Sequence, residues 1–260
     1  MSLAPRDVRT HIATSDTTSI TVRGYDLVNE LMGKYSFTEV LYLLIKDRLP
    51  SREEARVLDA CLVTLMEHGW TPTSLITRLA HDSAPGQVQI AIAAGLLAVG
   101  DVFAGTMEGC GRLLEGAAAS SDPAAFLRQT VEAHRAAKKP MPGFGHPFHK
   151  PDDPRPPRLF RVAEECGLAN RFVPLLKDLS AELDRQAGRH LTINATGAIA
   201  ALLLEIGIPP VIMRGIAVVS RSGGLAGHIV EEEETRAARQ IWRMAEEGIP
   251  YEPPPGAPKR

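Results

Sequence analysis

From residue 143 to residue 155 the chain reads Gly-Phe-Gly-His-Pro-Phe-His-Lys-Pro-Asp-Asp-Pro-Arg. Glycines beside a histidine let a backbone approach a ligand closely. The imidazole of His146 can act as acid, base or hydrogen-bond donor to a developing oxyanion. Taken alone, Gly143-Phe144-Gly145-His146 reads equally as a tight turn with an incidental surface histidine. Two cations change the balance: Lys150 and Arg155 stand four and nine residues past His146. Lysine offers a point charge to a phosphate, and arginine a planar fork to a carboxylate. The surrounding stretch, Lys139 to Pro157, holds seven of the chain's 20 prolines. A long irregular segment between helices is more often functional than idle.

Other runs carry weaker signals. Glu67-His68-Gly69 closes an apolar helical pattern, where a histidine before glycine is first of all a C-terminal feature. Arg78, ten residues on, reads as a solvated helix charge. Gly100 to Glu108, with Phe103 inside it, reads as a helix–helix corner of small residues. Asn194-Ala195-Thr196-Gly197 precedes an apolar helix and reads as its cap. Ser220-Arg221-Ser222-Gly223-Gly224 interrupts an apolar run at 211–230, and with no carboxylate nearby in sequence Arg221 calls for an anionic ligand. His228 reads as structural.

The elements that must position these groups are helices. Ser36 caps a helix with Glu39 as capping-box partner, Leu49-Pro50 ends it, and Ser51 to Glu54 opens the next in the same way. Residues 87–99 are apolar nearly all round and predict a helix buried on every side. Asp122-Pro123 starts another, running to about Lys138. Helical patterns return at 157–165, 172–186 and 195–205, and from 211 to 247. A short hairpin at Ser19–Val22 is the one strand signal. The chain has 260 residues, 44% hydrophobic and 23% charged, with a net charge of −2. That balance suits a globular protein and lacks the basic surplus of a nucleic-acid binder. The three cysteines, Cys61, Cys110 and Cys166, form no metal-ligand spacing, so no metal is expected, and they suit a reducing cytoplasm. The N-terminal run has no apolar core of a signal peptide, and no apolar stretch approaches the roughly 20 residues of a membrane span.

These runs, in this order, resemble the citrate synthase family, most of all the citryl-CoA lyase module of ATP-citrate lyase. Arg23-Gly24-Tyr25-Asp26 is similar to the family's RGYD, and Ser36–Leu44 to its SFEEVAYLL helix. Glu67-His68-Gly69 resembles the DHG or DHE segment, and Arg78 falls where the family often has arginine. Gly143–Arg155 matches the GFGH run with its basic residue and arginine at the same spacings. Arg221 falls in the SR-x-x-G run. Two positions depart. Citrate synthases carry a histidine where Phe103 stands, and the lyase module has a GDRFGG run there. Thr196 occupies the place of the catalytic aspartate in the NVDG run, and a threonine hydroxyl is no base near neutral pH.

The resemblance implies an all-α, citrate-synthase-like fold, with a large helical domain (1–111 and 199–260) and a small one (112–198). It implies a homodimer, with the 87–99 helix as a natural interface element. It implies reversible cleavage of citryl-CoA to acetyl-CoA and oxaloacetate, or condensation of an acyl-CoA with a 2-oxo acid. A third alternative is a CoA-binding member without activity. His146, His68 and Thr196 would stand at the chemistry. Arg155, Arg221, Phe103 and Asn194 would hold a di- or tricarboxylate. Gly143, Phe144, Gly145 and Lys150 would hold the CoA thioester, a substrate rather than a resident cofactor.

Overall fold

The computed structural model describes residues 9–102 and 105–256. Phe103 therefore lies outside the described residues. Three short strands come first: β1 (Ala13–Ser15), β2 (Ile20–Val22) and β3 (Tyr25–Asp26), antiparallel in that order. The expected Ser19–Val22 hairpin is thus the middle of a three-stranded ribbon. A π-helical turn, Leu27–Leu31, comes next, capped by the Asp26 carboxylate.

Among the described residues the other regular elements are helices: α1 (Phe37–Lys46), α2 (Arg52–Met66), α3 (Pro72–Ser83), α4 (Val88–Leu96), α5 (Thr106–Ala119) and α6 (Pro123–Ala136). After the irregular segment come α7 (Arg155–Glu165), α8 (Phe172–Ala187), α9 (Ala195–Glu205), α10 (Pro210–Thr235) and α11 (Ala237–Gly248). The start signals act as the sequence predicts. Ser36 and Glu39 form the capping box of α1. Ser51 and Glu54 exchange the same pair of bonds at α2. Asp122 accepts from Ala125 N–H at the head of α6. Among the described residues no single helix is long and apolar enough to cross a membrane.

The described residues group into two compact units. One takes in the chain up to Thr64 and Thr106–Arg214; the other takes in Leu65–Gly105 and the chain from Gly215 onward. These bounds are not those of the large and small domains implied by the resemblance. In the first unit α9 is the central element. Its residues from Ala195 to Leu204 are buried apart from Thr196, which is half-buried, and α5, α7 and α8 pack around it. Each fully buried Ile or Leu on α9 contributes about 1.5–3 kcal/mol of apolar transfer. A satellite cluster of Ala117, Leu127, Val131, Met141, Leu179 and Leu183 joins α5, α6 and α8.

In the second unit α3 and α4 form a packed pair, with α11 on α3. Two expectations are corrected here. Helix α4 is not buried on every side: Ala91 and Gly95 face inward, whereas Val88 and Ile90 are exposed. Its apolar character is all round, but among the described residues Val88 and Ile90 stay uncovered. Nor do Ser220–Gly224 interrupt a helix. They run through α10, where Ser222 Oγ donates back to Val219 O at 2.6 Å. The glycines there serve contact: a Cβ on Gly224 would stand 2.0 Å from Met66 O.

Candidate active site

The irregular segment is held by the N-terminus of α9. Gly145 N–H donates to Thr192 O at 2.8 Å and Asn194 N–H to Gly143 O at 3.0 Å. Phe144 and Ile193 form the antiparallel bridge between these bonds. Asn194 fastens the junction with its side chain. Its Oδ1 caps α9 through Gly197 N–H at 3.0 Å, and its Nδ2 donates to Gly145 O at 2.9 Å. The approach is close enough to require glycine on both sides. A Cβ on Gly197 would lie 2.4 Å from Gly143 O, and one on Gly143 would lie 2.8 Å from Cys110 Sγ. The Cys110 thiol itself is pushed by burial up to about 12, so it is no nucleophile.

These bonds limit what Gly143, Phe144 and Gly145 offer a CoA thioester. The Phe144 ring packs on the satellite core cluster. The N–H groups of Phe144 and Gly145 are used within the chain, the first by Met141 O at 3.3 Å. Carbonyl oxygens with a second lone pair are what remain for a ligand at these two residues.

His146 comes directly after this bridge, half-buried. Its Nδ1 accepts from Phe148 N–H at 3.1 Å and His149 N–H at 3.0 Å. A nitrogen that accepts twice carries no proton, so the neutral ring is protonated at Nε2. The His149 ring stacks on it, centroids 4.3 Å apart. His146 is therefore a fixed hydrogen-bond donor at Nε2. Lys150 is exposed.

Arg155 begins α7 and already has a partner. Its Nε and Nη2 donate to the two oxygens of Asp153 at 2.9 and 2.7 Å. Asp153 is 1% exposed and also accepts from Ala195 N–H at 3.0 Å. Burial raises the Asp153 carboxyl, but the bonds and charge of Arg155 and the Ala195 N–H outweigh it and hold it below the usual range. A carboxylate ligand would meet the other edge of the guanidinium, Nη1 and Nη2. Nearby, His190 bridges Asp184 and Asp152 at 2.6 and 2.8 Å, and both hold its pKa up.

Thr196 is tied into the cap. Its hydroxyl donates to Asn194 Oδ1 at 2.7 Å, and the Thr106 hydroxyl lies 2.7 Å from it. Since the Thr196 proton goes to Asn194, Thr106 is the donor in that pair. Gly143, Phe144, Gly145, His146, Lys150, Arg155, Asn194 and Thr196 thus belong to one unit and, Lys150 apart, to one bonded or packed neighbourhood. Sequence reasoning missed Asp153 and Thr106. The adjacent Ala195 and Thr196 are their partners only in three dimensions.

His68 and Arg221 belong to the other unit. His68 is half-buried in the turn after α2; its N–H and that of Gly69 both donate to Glu67 Oε1, at 2.8 and 2.6 Å. Arg221 is buried in α10, and the next turn, Gly223-Gly224, receives Met66. Arg78, expected as a solvated charge, is 0% exposed. The helical period turns it inward, onto Glu232, Glu231 and His228. His228, read from the sequence as structural, accepts from Arg78 Nε at 2.9 Å.

Residues 50–245 match the family model described as citrate synthase, C-terminal domain. The chain belongs to the citrate synthase family. Within it, a solved citryl-CoA lyase from Hydrogenobacter thermophilus is 31% identical, with a TM-score of 0.85 over 98% of this chain and 97% of that one. An ATP citrate lyase of Methanosaeta concilii, solved with (3S)-citryl-CoA, shares the fold at 20% identity and TM-score 0.79, over 98% of this chain and 43% of that chain. A citrate synthase-like protein of a Phoma species is 26% identical over 238 residues, 89% of this chain and 50% of the relative. The chain spans half or less of the length of the curated relatives it matches.

Proposed function

We propose that this protein is a citryl-CoA lyase, cleaving citryl-CoA to acetyl-CoA and oxaloacetate. The observation that supports this most is the end-to-end likeness to the Hydrogenobacter thermophilus lyase. In the reaction the bond between the hydroxyl-bearing carbon and the acetyl methylene breaks. The hydroxyl loses its proton and becomes the oxaloacetate carbonyl, while the methylene carbon gains a proton.

The His146 tautomer supports one part for it in this scheme. With the proton on Nε2, it donates to the substrate oxygen and stabilises it as charge builds, rather than removing the hydroxyl proton. That leaves His68 as the group to take the proton. Arg155, through its unused edge, and Arg221 hold carboxylates. Asn194 holds the turn that carries His146. Lys150 meets a CoA phosphate, and CoA comes and goes as substrate. A homodimer belongs to the same reading, and the exposed apolar residues of α4 support it.

Purified protein given citryl-CoA tests the proposal. Oxaloacetate release, read by coupled reduction to malate, supports it. Thiol release from acetyl-CoA plus oxaloacetate, with citryl-CoA left intact, replaces it with a condensing enzyme. Thr196 favours one further reading, because a hydroxyl committed to Asn194 supplies no base at the acetyl carbon. CoA binding by calorimetry with no turnover in either direction establishes that non-catalytic reading.

A further inference from the structure

We propose that Arg78 and His228 form a clamp that positions His68. The inference rests on the reading of His68 as a group that meets substrate, and adds residues with no part in that reading.

The clamp begins with the most deeply buried charge among the described residues. Arg78 is 0% exposed on α3 and every edge of it is engaged. Nη1 donates to Glu232 at 2.9 Å, Nη2 to Glu231, and Nε to His228 Nδ1 at 2.9 Å. Glu232, itself 2% exposed, also accepts from Ala238 N–H at 2.8 Å, which fixes it to the start of α11. The guanidinium is thus immobile, and it dictates the state of His228. An arginine Nε can only donate, so Nδ1 of His228 must be the acceptor and the ring proton must sit on Nε2. Protonating Nδ1 would set N–H against N–H.

His228 Nε2 lies 3.1 Å from Glu67 Oε2, in a bent electrostatic contact rather than an aligned hydrogen bond. The other oxygen of Glu67 accepts the N–H groups of His68 and Gly69. Burial raises the Glu67 carboxyl, but His228 and the two N–H groups outweigh it and hold it ionised. The same pair grips the turn beyond His68. Arg78 Cζ stands 4.5 Å over the Trp70 ring, whose centroid is 6.1 Å from that of His228. His68 therefore sits between two anchor points, Glu67 and Trp70, that lead back to one buried arginine. Gly224 lets the turn seat on α10, since a Cβ there would also stand 2.8 Å from Glu67 Oε2.

A direct arginine–glutamate pair would bind more strongly. A neutral imidazole between them instead transmits orientation without adding a second charge beside His68. That arrangement suits a positioning device better than one for stability alone.

Amide hydrogen exchange across residues 67–71, with steady-state citryl-CoA cleavage on the same proteins, tests this. In His228→Phe, which keeps a ring but neither nitrogen, exchange of the turn should rise about tenfold while α3 and α10 stay protected. The kcat should fall about 10- to 100-fold with KM within threefold, because a displaced catalytic group costs rate more than affinity. His228→Gln, with an oxygen for Arg78 and an NH2 for Glu67, should recover at least half of both effects. Should His228→Phe fold poorly, Glu67→Gln, at the more exposed end of the chain of contacts, should give the same local loosening. Unchanged exchange at 67–71, or equal loosening throughout α3, α10 and α11, overturns the clamp. Local loosening with kcat unchanged sustains the clamp and overturns instead the assignment of His68.

Discussion

The Thr196 hydroxyl donates to Asn194 Oδ1 at 2.7 Å and receives the Thr106 hydroxyl at the same distance. Its proton is thereby committed to the residue that caps α9, and one of its lone pairs to the first residue of α5. In the proposed site it is scaffolding, where the family places an aspartate. Thr196→Ala should therefore cost about 1 kcal/mol of stability, one hydrogen bond's net contribution, and should leave citryl-CoA cleavage within about threefold of wild type. Denaturant unfolding and the coupled assay measure the two. A loss of 100-fold would make the hydroxyl a proton relay.

Thr196→Asp makes the complementary prediction. The new carboxylate sits in the first turn of α9, where a negative charge is favoured, and Thr106 can still donate to it. Stability should fall by about 1 kcal/mol, because a carboxylate cannot donate to Asn194 Oδ1 as the hydroxyl does. Formation of citryl-CoA from acetyl-CoA plus oxaloacetate, read by mass spectrometry, should rise about 100-fold, the low end of what a positioned general base supplies. No rise would show that position 196 lacks access to the acetyl carbon.

The Asp153 carboxylate makes stability depend on pH in a defined direction. Its folded pKa lies below the ordinary value, which is about 3.9 in an unfolded chain. The stability it contributes is present above that value and is lost as pH falls through the folded pKa. Asp153→Asn should cost roughly 1–3 kcal/mol at neutral pH, by weakening the hold on Arg155 and the Ala195 N–H. Urea midpoints for the two proteins should converge as pH is lowered below about 4. A constant gap through the acid range would assign the effect to packing.

The elements that the sequence reveals most clearly are those whose signals are local. Ser36 with Glu39, Asp122 with Pro123, and Asn194 with Gly197 each place a helix start within a residue or two, since a cap is made by neighbours in the chain. The GFGH run and its two cations are legible for the same reason. What is not legible depends on partners far apart in sequence. Arg78 looks solvated until α10 brings Glu231 and Glu232 to it. Asp153 carries no signal of its own until Ala195 meets it. The Ser220–Gly224 run interrupts an apolar pattern in the sequence, whereas its glycines let Met66 approach a continuous helix.

The close approach of α9 to the His146 segment separates two kinds of glycine. Gly197→Ala would drive a Cβ to 2.4 Å from Gly143 O, a clash with backbone on both sides. It should cost more than about 2 kcal/mol, beyond ordinary overpacking's lower range, and activity should fall with it. Gly227→Ala meets nothing within 4 Å on the exposed side of α10, and it should stabilise by about 0.5–1 kcal/mol through helix propensity. Thermal melts of both variants check the contrast, which fails if the two shift in the same direction.

The proposed homodimer has its own observable. Leu97 is 88% exposed at the end of α4, with Val88 and Ile90 also open on that helix. Isolated exposed leucines are common, but a helix apolar on its open side is a candidate for burial by another chain. If a second copy covers α4, Leu97→Asp places a charge in an apolar contact, where burial without a partner is prohibitive. The variant should sediment as a monomer at concentrations where the wild type is a dimer, by at least a tenfold shift in the dissociation constant. Its helix content should stay unchanged by circular dichroism, because so exposed a side chain has little packing within the chain to lose. A wild-type protein that sediments as a monomer, or a variant dimer of undiminished affinity, would place the partner surface elsewhere than on α4.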